Sequence, residues 1–573
     1  MKTILKVFSV MALSIAMVGC AKEAEDPKYE PPKNVILEKT SDDPIQIVEA
    51  EVNTIYDFSV YEGKKAFLVV SNKSPETKTV FTPSRSANVD RNLITDEITN
   101  QYKIKSVNPP SLGIKYIKST EESRAAIRNE AEQKEPELND IRDFFAATEL
   151  WGTSEELAKG AVLTNIGEHC YVWYVKNDNI NITDEKLQLL ADTFDEIYEK
   201  ETYLFGSNIP TFEYSNIIDI PENTKINIIV YDIYGDYEIT EANDGGGVAG
   251  YFWPLDFIKN DYLIQNEDVR KSNECECIHI DSWFLEKQPE MQRSAIAHEF
   301  QHLLHYVNKT LNPGFVVIKD GVRYNQESAT WFNEMMSMVC EDIMQSHLSI
   351  DDKDSPKGRL FLFNQTFYMG FNYWRDRAHG YQDDKNVRIS YANAYAFGAY
   401  LVRNFGIDFI KELATNKYID ERAITEALSK KSIDPDVTTF EQALNQYFNV
   451  IMNPETSKYT LNKKVDKTYN DIAGNKTVTF ECKAIDLSQY VTLPGKHINE
   501  TNWYIDQLYN AELNTDYLGP FILKETYLYY TLDGYGMFAT YLGTVSQDNY
   551  QNYLDPKFWS MDSNISYKVV FKD

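Results

Sequence analysis

Arg293-Ser-Ala-Ile-Ala-His298-Glu299-Phe-Gln-His302-Leu-Leu-His305-Tyr306 places two histidines four residues apart with a glutamate beside the first. On a helix, residues four apart share a face, so His298 and His302 can each turn a ring nitrogen towards one metal ion while Glu299 stands beside it as a base. A catalytic zinc takes three protein ligands and keeps a fourth position for water, so one more ligand must come from elsewhere. Downstream, Trp331-Phe-Asn333-Glu334 offers Glu334 as the candidate. By itself the short pattern also fits two ordinary partly buried histidines. Three of the chain's eight histidines fall in this one segment, which favours the metal.

The element that must carry these groups is predicted to be helical. Pro289 suits a first helical turn, Ile296, Leu303 and Val307 recur at helical spacing, and no Gly or Pro interrupts residues 290–310. A pattern that draws its third histidine from just beyond the helix fails here, because the positions it requires are His305 and Asn308. A glutamate from a second helix remains.

Trp331-Phe-Asn333-Glu334-Met-Met-Ser337-Met-Val-Cys-Glu341 resembles the third-ligand helix of the gluzincins, in particular the WLNEGFAxxxE pattern of aminopeptidase N relatives and hyicolysin-type metallopeptidases. Met335 and Ser337 depart from that pattern without touching a ligand position. The resemblance spans roughly residues 145–455. It implies a two-lobed zinc peptidase domain with His298, His302 and Glu334 on Zn2+, Glu299 as general base and a protein or peptide as substrate. Glu341 is the expected orienter of the histidines. Tyr395-Ala-Phe-Gly398 resembles the YxxG in which aminopeptidase N relatives carry a transition-state tyrosine, so Tyr395 is expected at the oxyanion, with His379 a second choice. Since the chain holds 39 tyrosines, a packing role for Tyr395 is an equal reading. Residues 248–253, after the Gly245 loop, are expected to form the rim that holds substrate backbone, with a plain surface hairpin as the alternative. Nothing resembles the Gly-x-Met-Glu-Asn anchor of aminopeptidases, which favours an endopeptidase.

The rest of the chain frames that domain. With 573 residues, roughly two to four domains are expected. Hydrophobic residues at 43% and charged residues at 25% are globular values. A net charge of -30 argues against nucleic acid or an anionic membrane surface as partner. Residues 1–20 read as an export signal, with Lys2 and Lys6 before an apolar run from Val7 to Val18. Met17-Val18-Gly19-Cys20 resembles a bacterial lipobox, which implies a lipid on Cys20 as the sole membrane attachment and a cell-envelope location. Residues 21–34 then form a polar tether. Cys170, Cys275, Cys277, Cys340 and Cys482 form no disulfide framework by their spacing.

Alternating segments over 35–115 predict a small β domain, and 116–144 reads as a charged helix or linker. Over 145–455 strands come first, then the two metal helices, then a helical lobe; residues 456–573 return to aromatic strands and predict a C-terminal β-sandwich. The expected class is α+β, a gluzincin-like domain flanked by N- and C-terminal β domains. Two further readings stay open: an inactive peptidase fold serving as an adhesin or glycan-binding lipoprotein, and an aminopeptidase. Oligomeric state is not legible.

Overall fold

The structure is a computed structural model that describes residues 31–39, 45–80, 115–116, 135–147, 154–176, 180–211, 218, 225–233, 248–265, 268–313, 316–319, 322–325, 328–375, 387–452, 458–472, 476–490 and 531–572. The class is α+β. Two compact units divide the chain, Met1–Arg91 with Ile522–Asp573, and Asn92–Phe521. Residues 1–30, with the export signal and most of the tether, lie outside the described residues, as does 117–134 of the expected linker.

In the unit made of the chain's two ends, an antiparallel sheet runs in the order Met537–Thr544, Lys65–Asn72, Ile565–Lys572, Gln46–Ala50. Lys65–Asn72 is buried along almost its whole length and is paired on both edges, so it needs two partners. Both come from the far end of the sequence. Ser71 and Ser566, 495 positions apart, share a 2.6 Å hydrogen bond across this sheet. The N- and C-terminal β segments are therefore one unit, not the two flanking domains expected. Alternation identifies a strand, but it does not say which strand will cover its edge.

The larger unit is built on a six-stranded sheet. Its strands in chain order are β1 (Ile141–Ala147), β2 (Ser154–Ile166), β3 (Cys170–Tyr174), β4 (Ile226–Tyr231), β5 (Gly250–Tyr251) and β6 (Cys277–Asp281), laid out as β5-β6-β4-β3-β2-β1. β4 runs parallel to both neighbours and all six of its residues are buried. That is what a continuous Ile/Val run gives when both sheet faces are covered. β1 begins inside the stretch read as a linker: exposed Ile141 and Asp143 and half-buried Arg142 mark it as an edge strand, and a charged edge imitates a solvated linker.

Five long helices complete the part that positions the site. α1 (Asp184–Phe205) turns Leu187, Leu190, Phe194 and Ile197 inward and ends at Gly206, whose φ of 98° suits glycine. α2 (Pro289–His305) starts on its proline and runs into a π-helical turn over Tyr306–Leu311. α3 (Thr330–Leu348) ends on Ser349 in the left-handed region. α4 (Val387–Phe405) is buried on every side, and α5 (Phe440–Met452) closes the helical layer. Phe194 of α1 meets Phe300 of α2 edge to face at 4.8 Å, which fixes the roll of α2 and so which residues it turns to α3. The hairpin Val465–Ile472 with Lys476–Cys482 belongs to this larger unit, so residues 456–573 do not form a sandwich of their own.

Candidate active site

α2 and α3 lie side by side and bury their functional groups against each other. His298, Glu299, His302, Glu334 and Glu341 are all 5% exposed or less. From α2, His298 Nε2 and His302 Nε2 approach to 3.0 Å. From α3, Glu334 Oε2 stands 3.1 Å from His298 Nε2 and 3.4 Å from His302 Nε2. Three ligand atoms thus converge on one point.

This triangle fits a divalent metal. Bonds of about 2.0–2.1 Å in a tetrahedral site put neighbouring ligand atoms about 3.3–3.4 Å apart, close to the three separations found. Without a cation, two ring nitrogens facing each other in the interior satisfy each other poorly. The other ring nitrogens are already fixed: His298 Nδ1 donates to Glu341 Oε1 at 2.7 Å, and His302 Nδ1 lies 3.0 Å from both Asn333 Oδ1 and Ser337 Oγ. A donor on Nδ1 leaves the Nε2 lone pair for a metal, the arrangement expected behind metal-binding histidines.

Charge favours a cation as well. Burial would raise the Glu334 carboxyl, but His302 and His298 outweigh that and hold it well below the usual carboxylate range. Burial would likewise pull His298 down, yet Glu334 and Glu341 push it up to about 10. Glu299 takes no ligand position. Its carboxyl is raised by burial, with the two imidazoles opposing, and its Oε2 is buried without a hydrogen-bond partner among the described residues. A carboxylate that is raised, unpaired and next to the ligand triangle is suited to accept a proton.

The rim expected at 248–253 falls on β5, the edge strand of the sheet, paired antiparallel with β6. Ala249 lines the cleft with His298 and Glu299. Gly250 is required there, because a Cβ would come within 2.8 Å of the His279 carbonyl and 3.3 Å of Glu299 Cγ.

Tyr395 is not with the ligands. Its hydroxyl donates to Asp342 Oδ2 at 3.0 Å, inside a buried cluster where Asp342 also holds Lys357 and Arg403, both at 2.7 Å. Burial and the Asp342 charge keep this phenol well above its ordinary pKa. One turn earlier on α4, Tyr391 is the residue whose ring faces His298, at 6.3 Å between centroids. Gly398 of the YxxG serves packing: a Cβ there would meet Val339 and Met335 of α3 at 2.6 and 2.8 Å. The pattern was legible, but its register on the helix was not. His379 lies outside the described residues.

A second buried cluster escaped the sequence reading. Asp256, Cys277 and His279 bring ligand-type atoms within 4.8 Å of one another. Here, however, protein donors occupy the acceptors: His279 Nε2 is 2.9 Å from Asp256 Oδ2, and Asp256 Oδ1 accepts from the Asn273 amide and side chain. Tyr251 stacks on the His279 ring at 4.3 Å. The cluster anchors β5 to β6 beneath the site. None of the five described cysteines is in a disulfide.

Two imidazoles from one helix, a glutamate from the next and an unpaired carboxylate beside them form an arrangement that fits a metal centre of the gluzincin class. The chain belongs to the peptidase M30 family, whose model matches residues 160–468. Over 332 residues it is 25% identical to the neutral metalloprotease ShpI of Staphylococcus hyicus, an overlap that covers 56% of this chain and 64% of that one. The chain thus spans less than two thirds of the length of this curated relative.

Proposed function

We propose that this protein is a zinc-dependent endopeptidase of the bacterial cell envelope, attached through a lipid on Cys20. The observation that carries the reading is the convergence of His298 Nε2, His302 Nε2 and Glu334 Oε2 within 3.4 Å, with the unpaired Glu299 carboxylate beside them. The family membership and the metalloprotease relative support it.

In this reading His298, His302 and Glu334 hold the zinc, which when bound lowers the pKa of water and polarises the scissile carbonyl. Glu299 takes a proton from the attacking water and delivers it to the leaving amine, so the nucleophile forms and the leaving group departs neutral. Glu341 and Asn333 keep the imidazoles in the tautomer and rotation that present Nε2. β5 offers an edge along which an extended substrate can lie as an added strand. The lipid anchor rests on Met17-Val18-Gly19-Cys20 and the preceding apolar run. Among the described residues no helix is long and apolar enough to cross a membrane.

Metal content and casein cleavage, measured together on the chain from residue 21 onward, test the proposal. One zinc per chain is expected, lost or weakened with cleavage in His302→Ala and Glu334→Ala, while Glu299→Gln keeps zinc and loses cleavage. Cleavage that survives Glu299→Gln would refute the mechanism. An N-acetylated peptide should still be cut; protection by acetylation would point to an aminopeptidase.

A further inference from the structure

Beside Glu299 the cleft is lined by a short turn, Pro356–Arg359, and by Arg388 of α4. The turn is rigid. Lys357 is fully buried and reaches Asp342 of α3 at 2.7 Å, and Gly358 packs so closely on the Lys353 carbonyl that a Cβ would come within 2.6 Å of it. Arg359 follows directly. Its guanidinium lies over the Tyr391 ring, 5.1 Å from the centroid, and that ring faces His298. Its Nη1 is buried and has no hydrogen-bond partner among the described residues. A buried guanidinium N–H left unpaired costs more than an ordinary polar group, so an arginine held this way is suited to take an acceptor that enters the cleft.

Resting on the peptidase reading, we propose that Arg359 is a specificity-determining residue that binds a carboxylate of the substrate near the scissile bond. One aromatic ring separates the guanidinium from His298. An extended chain advances about 3.3–3.6 Å per residue, so the carboxylate belongs to a residue within about three positions of the bond being cut. Two sources share this chemistry, an Asp or Glu side chain and the carboxy-terminus of a short peptide. The overall charge of -30 would repel such a substrate at long range, so the preference must come from this local contact.

Fluorescence anisotropy tests the assignment without relying on turnover. The probes are labelled decapeptides, Ala-rich, with Glu or Gln placed at each position in turn and with either a free or an amidated carboxy-terminus. They are titrated against zinc-loaded Glu299→Gln protein and against Glu299→Gln with Arg359→Gln. At one position Glu should bind about ten to a hundredfold tighter than Gln, or the free terminus tighter than the amide, and this gap should fall to within about threefold without Arg359. Arg359→Lys should keep part of the gap, and Arg359→Glu should turn the preference towards Lys. No gap with Arg359 present, a gap that survives Arg359→Gln, or equal weakening of Glu and Gln peptides would overturn the proposal. Cleavage of the same peptides by wild type judges the peptidase reading separately: binding that depends on Arg359 with no cleavage would retain this assignment and reject that one.

Discussion

Glu341 Oε1 accepts from His298 Nδ1 at 2.7 Å, and Glu341 Oε2 accepts from Ser294 Oγ at 2.6 Å, so one carboxylate ties a metal-side histidine to its own helix one turn earlier. Removing that charge should loosen the imidazole without touching a ligand. Glu341→Gln is expected to weaken zinc affinity about 10–100-fold, and Ser294→Ala less, read by competition with a chelating dye. An unchanged affinity in Glu341→Gln would leave that carboxylate with a packing role only.

Tyr395→Phe separates two roles for the α4 tyrosines. Since the Tyr395 hydroxyl is committed to Asp342, its loss should lower stability by about 1–3 kcal/mol and leave cleavage per folded molecule within a few fold. Denaturant melts and kcat/KM on the same samples decide it. A drop of a hundredfold or more in kcat with unchanged stability would restore Tyr395 to the oxyanion.

At Gly250 the site tolerates no side chain. Gly250→Ala sets a methyl 2.8 Å from a backbone carbonyl and 3.3 Å from Glu299, so β5 must move off β6 or Glu299 must shift. A loss of about 1–3 kcal/mol in stability is expected, with at least a tenfold loss in kcat/KM.

Glu276, which is not among the residues of the candidate site, gives a separate pH signature. It is buried at 2% exposure, with Oε1 accepting from Asn208 at 3.1 Å and Oε2 without a partner among the described residues, and burial pushes its carboxyl up to about 8. The folded chain therefore holds this proton more tightly than the unfolded chain. Its contribution to stability is whole below the unfolded value of about 4.3, falls as pH rises and is gone above about 8. Glu276→Gln should flatten that decline and melt higher than wild type at pH 8, with little change at pH 5. Parallel pH profiles of melting temperature for the two proteins would contradict it.

The sequence by itself determined the local chemistry. His298, Glu299 and His302 follow from helical spacing, Glu334 and Glu341 from a second helix of matching pattern, and the order of strands before helices over 145–455 from periodicity, because each of these signals is written over a few turns or one strand. Only the tertiary structure decided which of Tyr391 and Tyr395 faces His298, since both sit on one helix and the choice depends on how α4 packs against Met335 and Val339. It alone joined Ser71 to Ser566, placed Arg359 over Tyr391 and gathered Asp256, Cys277 and His279 under β5. These are contacts between residues far apart in the chain. Their partners are selected by burial and by the satisfaction of polar groups, which exist only once the layers have met.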